Sequence, residues 1–258
     1  MTTSAHQDLI VDQFTRQAAP FNLAKTIADE QALKLIVDAT DAGPRDTVLD
    51  VACGGGLVVC AFAQVVQHAT GIDVTPAMLA RGEALASSKE LTNVTWKQGD
   101  VESLPYADGA FTVVVSRLTF HHFQNPLTVL KEMVRVCAPG GRVAVFDVEA
   151  SADRAKADAF NAMEILRDPS HVRALPASEL AALFADAGLS ALRSSRYELR
   201  DELESLLGRS FPNPGDDDTI RQIFAASADD DRLGIPVRKD GRTIHYAYPV
   251  IGLVATRA

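Results

Sequence analysis

A short apolar run that ends in a glycine cluster constrains the fold of this chain more than any other feature. Residues 48–51 (Val-Leu-Asp-Val) are hydrophobic apart from one acid, Asp50. They lead through Ala52 and Cys53 into three consecutive glycines, after which residues 57–63 are apolar again. This pattern predicts a buried strand, a tight turn and the start of a helix. Glycines at such a turn let the backbone approach a ligand closely, so a small-molecule site is expected here.

The spacing of the glycines separates two ligand classes that use such a turn. A dinucleotide-binding turn has the pattern Gly-x-Gly-x-x-Gly, but counted from Gly54 and Gly56 the third position is Val59. An acid near the end of the strand, followed by small residues at positions 52, 54 and 56, resembles motif I of the class I S-adenosylmethionine-dependent methyltransferases. Ala52 stands where that family has its first glycine, and the exchange is expected to be tolerated if the residue has a negative φ. A strand, turn and helix without a ligand is the alternative.

Composition and charge narrow the expected partner. The chain has 258 residues, 47% of them hydrophobic and 23% charged, which fits one globular α/β domain better than two. Its net charge of −9 gives no basic patch for nucleic acid or an anionic membrane surface. No apolar run is long enough to span a bilayer, and the first residues lack a signal core. A small-molecule substrate is therefore expected. The sequence leaves open whether the protein forms a homodimer.

The cysteines give no metal site. The chain has three cysteines, Cys53, Cys60 and Cys137. This is an odd number, and their spacing is not that of metal ligands. We expect them to be reduced thiols in a cytoplasmic protein, and we predict no bound metal.

Helical periodicity covers residues 8–42, with a break at 19–22. The apolar positions predict a short cap helix followed by a longer one, which ends at Gly43 and Pro44. In proteins of the resembled fold such helices lie over the cofactor. Simple packing against the sheet edge is the alternative.

A second short strand, residues 69–74, ends beside Asp73, about twenty residues after the glycine turn. A parallel neighbouring strand places such a carboxylate opposite a ribose, where two hydroxyls make a bidentate, charge-assisted contact. The alternative is that Asp73 caps the next helix. Thr75 suits that capping role better, because Pro76 then takes the first helical position.

Residues 93–101 predict a third strand and the loop behind it. The resemblance implies that the Gly-Asp pair in this loop meets the adenine. Asp100 would accept a hydrogen bond from the exocyclic amine, and Val101 would pack on the ring face. A plain turn is the alternative. The expected cofactor-binding residues are Asp50, Ala52, Cys53, Gly54, Gly56, Asp73, Val74, Met78, Asp100, Val101, Ser116 and Arg117.

The fourth strand, residues 111–116, is too uniformly apolar to lie at an edge, and it leads into His121 and His122. Ligands bind at the carboxyl ends of the strands in open α/β sheets, so this loop borders the same crevice as the glycine turn. Histidine titrates near neutrality and can remove a proton from a substrate O–H, N–H or C–H group. Because adjacent side chains point in different directions, at most one of the pair is expected to face the substrate. Either histidine could instead orient the loop.

The remaining elements continue the resemblance. A helix that ends in Pro-Gly-Gly precedes a fifth strand at residues 142–148. Residues 151–175 contain a helix with Asn161, Glu164 and Arg167 and predict a lid, with His171 as a third catalytic candidate. A structural pair of Arg167 with Asp168 is the alternative.

Together the resemblance implies an α/β fold. It has a doubly wound, seven-stranded, mostly parallel sheet of the Rossmann-like methyltransferase type, an antiparallel last strand, N-terminal cap helices and a helical lid after strand 5. One domain is expected over 1–258, with cap helices at 1–42, a cofactor-binding core at 45–150, lid helices at 151–189 and C-terminal strands and helices at 190–258. The ubiquinone/menaquinone-biosynthesis-like branch, which has a paired-histidine loop, is the most similar.

The implied activity is in-line transfer of the sulfonium methyl group of S-adenosyl-L-methionine to an O, N, C or S nucleophile, with S-adenosyl-L-homocysteine as product. One alternative is a non-methylating reaction of the same cofactor, such as cyclisation. Another is a catalytically silent cofactor-binding module. An NAD-linked oxidoreductase is disfavoured by Val59 and by the closing strand.

Overall fold

Strands and helices alternate along the chain and build one sheet that is covered on both faces. The computed structural model describes residues 5–21 and 26–258. The strands are β1 Thr47–Val51, β2 His68–Asp73, β3 Val94–Gln98, β4 Phe111–Arg117, β5 Cys137–Val148, β6 Arg193–Glu202, β7 Val237–Asp240 and β8 Thr243–Thr256. The helices are α1 Ala5–Phe21, α2 Glu30–Ala39, α3 Leu57–Ala63, α4 Pro76–Ser88, α5 Pro126–Val136, α6 Arg154–Arg167, α7 Ala177–Asp186, α8 Leu203–Arg209 and α9 Asp216–Asp230, with a 3₁₀ turn at Phe120–His122.

The sheet has the strand order β3-β2-β1-β4-β5-β8-β6, and β7 pairs with β8. The first five strands are parallel, whereas β8 runs antiparallel to β5, β6 and β7. This confirms the predicted doubly wound, mostly parallel sheet with an antiparallel last strand. The eighth strand, β7, was not predicted because Val-Arg-Lys-Asp is polar and lacks an alternating hydrophobic pattern.

Successive residues of the central strands point to opposite faces of the sheet. Val113 and Val115 of β4 belong to one buried cluster, with side chains from α3, α6 and α9. Val114 belongs to the other cluster, with side chains from α5 and α7. Since side chains alternate along a strand, each face has its own core, and the carboxyl ends of β1, β2 and β4 remain for a ligand.

The two N-terminal helices differ from the prediction. Helix α1 is the longer, with 17 residues, and it continues through positions 19–21 of the predicted break, while α2 has 10 residues. Position 22 lies outside the described residues. Side chains of α1 are held by residues far along the chain. Gln17 Nε2 donates to Asp168 Oδ2 at 2.9 Å, and Gln13 Nε2 donates to the carbonyl of Phe211 at 3.3 Å. Tertiary contacts such as these override local breaking signals.

The segment after α6 lies against the loop that follows β4. The backbone N–H groups of Val172 and Arg173 both donate to the carbonyl of His121, at 2.8 and 3.0 Å. This pairing fixes the predicted lid region beside the histidine pair. In the described part of the chain, no helix has both the length and the hydropathy needed to cross a membrane.

Candidate active site

A cavity of about 360 Å³ lies where β1, β2 and β4 end, with α1 on its open side. Nine of the twelve expected cofactor-binding residues line it: Asp50, Ala52, Cys53, Gly54, Asp73, Val74, Asp100, Val101 and Arg117. Other residues of α1 and of the loop after β4 also line the cavity, and they were not predicted individually. They are His6, Gln7, Ile10, Phe14, Leu118, Thr119, Phe123, Gln124 and Asn125. The cap-helix position was expected, but the amphipathic pattern of α1 does not say which side chains face a ligand.

Three expected residues do not belong to the described lining of this cavity. Gly56 has a φ of 77°, and a Cβ there would lie 2.4 Å from the Trp96 ring, so helix packing requires this glycine. Met78 is buried within the core on α4. The hydroxyl of Ser116 donates to the carbonyl of Val51 at 2.9 Å and is completely buried.

Ala52 does not meet the condition under which its exchange for glycine was expected to be tolerated, a negative φ. Its φ is 58°, in the left-handed region, where a residue with a Cβ costs roughly 1–2 kcal/mol. Gly54 has a φ of 49°. The turn therefore uses left-handed backbone at both positions, and only one of them is a glycine.

We expect Ala52→Gly to stabilise the folded protein by about 1 kcal/mol, because it relieves the left-handed strain but adds some unfolded-state entropy. Urea unfolding would measure the change. A matched substitution, Ala69→Gly on β2, lacks a positive φ and should destabilise instead. Equal destabilisation by both substitutions would contradict the strain argument.

Asp73 is almost fully buried and holds the glycine turn together. Its Oδ2 accepts the N–H of Gly54 at 2.8 Å, and its Oδ1 accepts the N–H of Thr75 at 2.8 Å. Burial raises the pKa of Asp73, while these two backbone hydrogen bonds act in the opposite direction. A carboxylate oxygen has two acceptor positions, so a carboxylate can accept hydrogen bonds from several donors at once.

Two buried groups of opposite charge lie beside this carboxylate. Asp50 Oδ2 and Arg117 Nη2 both lack a hydrogen-bond partner among the described residues, and both side chains line the cavity. The other guanidinium nitrogens of Arg117 donate to Tyr197 Oη at 3.0 Å and to the carbonyl of Ile27 at 2.9 Å. Burial and the negative charge of Asp73 raise the pKa of Asp50 well above its ordinary value. A cation bound at Asp50 would offset this penalty.

A second cavity of about 90 Å³ adjoins the first. Four residues line both cavities and form the partition between them: Phe14, Ile27, Leu118 and His122. The smaller cavity has a polar wall and an apolar wall. The polar wall includes Glu164, Arg167, Asp168, Arg209, Tyr246 and Tyr248, and the apolar wall includes Val148, Leu199 and Leu206.

His121 lines the smaller cavity and is held by Asp147. The carboxylate accepts the His121 backbone N–H on Oδ2 at 2.8 Å and the ring Nδ1–H on Oδ1 at 2.7 Å. Burial lowers the pKa of His121, but the charge of Asp147 and its hydrogen bond outweigh burial and raise that pKa above its ordinary value. Nε2 is the ring nitrogen that does not contact Asp147.

His122 differs from its neighbour in charge and position. It lies in the partition, and its Nδ1–H donates to the carbonyl of Ser170 at 3.0 Å. Burial and the nearby His121 lower the pKa of His122 to about 4, so its ring is neutral at pH 7. The sequence could not separate these two histidines, because their partners lie 26 and 48 residues further along the chain.

His171 is not brought to either cavity by the structure. Its Nε2–H donates to Asn161 Oδ1 at 2.8 Å, which also accepts the backbone N–H of Ala174 at 2.7 Å. Burial, together with His121 and His122, lowers its pKa far below the ordinary value. The predicted pair of Arg167 with Asp168 is 3.9 Å apart, whereas Arg167 contacts Glu164 at 2.7 Å.

The comparisons with known proteins agree with this geometry. A family model described as a methyltransferase domain matches residues 49–145. The chain is 29% identical over 240 residues to the uncharacterized methyltransferase YcgJ of Bacillus subtilis, covering 92% of this chain and 95% of YcgJ. The crystal structure of YcgJ superposes with a TM-score of 0.80 at 27% identity, over 88% of this chain and 98% of that one. YafE of Escherichia coli, an uncharacterized protein, is 32% identical over 179 residues, covering 69% of this chain and 86% of YafE.

The chain belongs to the class I S-adenosylmethionine-dependent methyltransferases. The match spans the glycine turn, Asp73, Asp100 and the paired histidines, which are the elements that carried the resemblance. The more specific assignment to the ubiquinone/menaquinone-biosynthesis-like branch stays a prediction.

Proposed function

We propose that this protein transfers a methyl group from S-adenosyl-L-methionine to a small-molecule acceptor. The observation that carries the proposal is the pair of unpartnered buried atoms, Asp50 Oδ2 and Arg117 Nη2, at the larger cavity. An amino-acid tail carries an ammonium and a carboxylate, and each would satisfy one of these groups. Buried charges are otherwise costly without a partner.

The remaining lining suits the nucleoside part of the same molecule. Asp73 would accept hydrogen bonds from the ribose hydroxyls, and Asp100 with Val101 would take the adenine. The backbone of the glycine turn, at Ala52 and Gly54, would lie against the amino-acid tail. When bound, S-adenosyl-L-methionine supplies a sulfonium methyl group that is already activated towards nucleophiles. The protein then has to align the acceptor and exclude water, which contributes up to about 7–11 kcal/mol.

In this proposal residues 45–150 form the cofactor side and residues 151–189 close the acceptor side of one domain. Residues of α6 support this division, because Glu164 and Arg167 line the smaller cavity and not the larger one. Of the three histidine candidates, His121 and His122 line the cavities and are the proposed proton acceptors, whereas His171 would support the lid through Asn161.

We expect the protein to bind S-adenosyl-L-methionine with a Kd in the micromolar range and NAD at least a hundredfold more weakly. Isothermal titration of both compounds into the wild-type protein measures this. No binding of S-adenosyl-L-methionine to the folded protein, or tighter binding of NAD, would contradict the proposal. Binding without S-adenosyl-L-homocysteine formation on any acceptor would favour the silent module, and turnover to another product would favour a non-methylating enzyme.

A further inference from the structure

The partition separates two chemically different spaces. Leu118 has a φ of 55°, in the strained left-handed region, and its N–H donates to the carbonyl of Phe146 at 2.7 Å. The rings of Phe14 and His122 meet edge to face, with centroids 5.1 Å apart. Strained backbone held by its surroundings is typical of functional sites. These contacts fix the boundary that the two cavities share, so a group in the smaller cavity lies directly beside the larger one.

The charges of the smaller cavity are mutually compensated. Its described lining has two arginines and two carboxylates. Glu164 Oε2 accepts from Arg167 at 2.7 Å, and Arg209 Nη1 lies 2.7 Å from Asp201 Oδ2. Asp168 accepts from Gln17 and from Ser170, and its Oδ2 lies 3.9 Å from Arg167 Nη1. An anionic or cationic ligand would therefore find no unpaired opposite charge among these groups, and its desolvation would be uncompensated.

One group in the smaller cavity is equipped to take a proton. Nδ1–H of His121 is directed to Asp147, which leaves Nε2 as the basic nitrogen. The carboxylate fixes the tautomer and stabilises the imidazolium, as in other paired His-Asp bases. The groups around the ring are Asp147 on β5, Glu164 and Arg167 on α6, His122 on the 3₁₀ turn and His171 after α6.

We propose that the smaller cavity holds the reacting end of a neutral phenol-like acceptor and that His121, backed by Asp147, removes its hydroxyl proton. This rests on the proposed methyl transfer. The apolar wall and the rings of Tyr246 and Tyr248 suit a flat, uncharged group. The smaller cavity has a volume of about 90 Å³, about three times the volume that one molecule occupies in liquid water. Only a compact reacting end of the acceptor therefore fits.

The hydroxyl oxygen forms a bond to the methyl carbon while the carbon–sulfur bond breaks, and the pair of electrons of that bond stays on sulfur. The hydroxyl proton passes to Nε2 of His121, which becomes an imidazolium and later releases the proton to water. The products are a methyl ether and S-adenosyl-L-homocysteine. His122 is a weaker base than His121, because its pKa is lowered to about 4. We assign it the role of positioning the acceptor at the boundary between the two cavities.

The location and charge of the acceptor are tested by binding. In the presence of S-adenosyl-L-homocysteine, hydroquinone and phenol should bind at least tenfold more tightly than benzoate and benzylamine. Leu199→Phe fills the smaller cavity without touching the larger one, so it should abolish phenol binding and leave S-adenosyl-L-methionine affinity within about twofold. Charged analogues that bind as well as phenol, or phenol binding that survives Leu199→Phe, would overturn the inference.

The base is tested by pH profiles of S-adenosyl-L-homocysteine formation with hydroquinone. The rate should rise with pH as His121 loses its proton, and His121→Asn should lower it by about 10²–10⁴-fold. Asp147→Asn removes the charge that raises the pKa of His121, so the acidic limb should move to lower pH by at least about one unit. His68→Gln, at the opposite end of β2 from Asp73, is the matched control and should behave as wild type.

The outcomes distinguish the inference from the function on which it rests. If the wild-type protein does not bind S-adenosyl-L-methionine, the methyltransferase proposal itself fails. If it binds the cofactor but neither binds nor methylates hydroquinone and phenol, only the acceptor inference fails. An acidic limb that Asp147→Asn leaves in place would overturn the role of the His121–Asp147 pair.

Discussion

Asp73→Ala is expected to weaken S-adenosyl-L-methionine binding by at least about a hundredfold, or roughly 2.7 kcal/mol. The substitution removes the proposed ribose contact, and hydrogen bonds to a charged group contribute about 1.5–3 kcal/mol each. It also removes the acceptor for the N–H groups of Gly54 and Thr75, which fix the turn and the start of α4. Isothermal titration against the wild type measures the affinity, and urea unfolding measures the accompanying loss of stability.

A second acid separates the two contributions of Asp73. Asp46 also accepts a backbone N–H, from Gly43 at 2.8 Å, and contacts Arg142 at 2.7 Å, but it precedes β1 at the opposite end from the cavity. Asp46→Ala should therefore lower stability while leaving S-adenosyl-L-methionine affinity within about threefold. If both substitutions weaken binding equally, the effect comes from the fold and the ribose assignment is wrong.

Much of the lining of the larger cavity was predictable because parallel strands bring their carboxyl ends together. Asp50, the glycine turn, Asp73 and Asp100 each follow or end a strand, so topology alone places them at one edge. The same argument failed for Met78 and Ser116, where the sequence gives proximity to the edge but not the direction of the side chain. It also failed for α1, because helical periodicity identifies a buried face without identifying what covers it.

The surroundings of the smaller cavity were less predictable because their contacts join distant segments. His121 is distinguished from His122 by Asp147, and a signal for this partner existed: Asp147 is the one acid in the apolar run 143–148. Asp50 carries the same signal in β1. Arg167 lies closer to Glu164 than to Asp168, at 2.7 Å against 3.9 Å, because α6 extends to Arg167 and places Glu164 and Arg167 three apart on one face.

Breaking the buried pair formed by Glu164 and Arg167 should lower the stability of the protein strongly. Their side chains are 4% and 12% exposed, and Tyr248 Oη also donates to Glu164 Oε1 at 2.6 Å. Arg167→Met would leave the Glu164 carboxylate buried without its cation. We expect a loss of about 3–5 kcal/mol in the free energy of unfolding, measured by urea denaturation, because an uncompensated buried charge is strongly destabilising.

Two further variants test the cause of that loss. Glu164→Gln combined with Arg167→Met removes both charges, so it should recover most of the lost stability. Lys34→Met breaks the pair with Asp38, whose side chains are 73% and 60% exposed, and should cost less than about 0.5 kcal/mol. A double variant as unstable as Arg167→Met would mean that packing of the arginine, and not charge, holds α6 against β8. Because these residues also line the smaller cavity, recovery of stability without recovery of acceptor binding would show that the pair shapes the site as well as the fold.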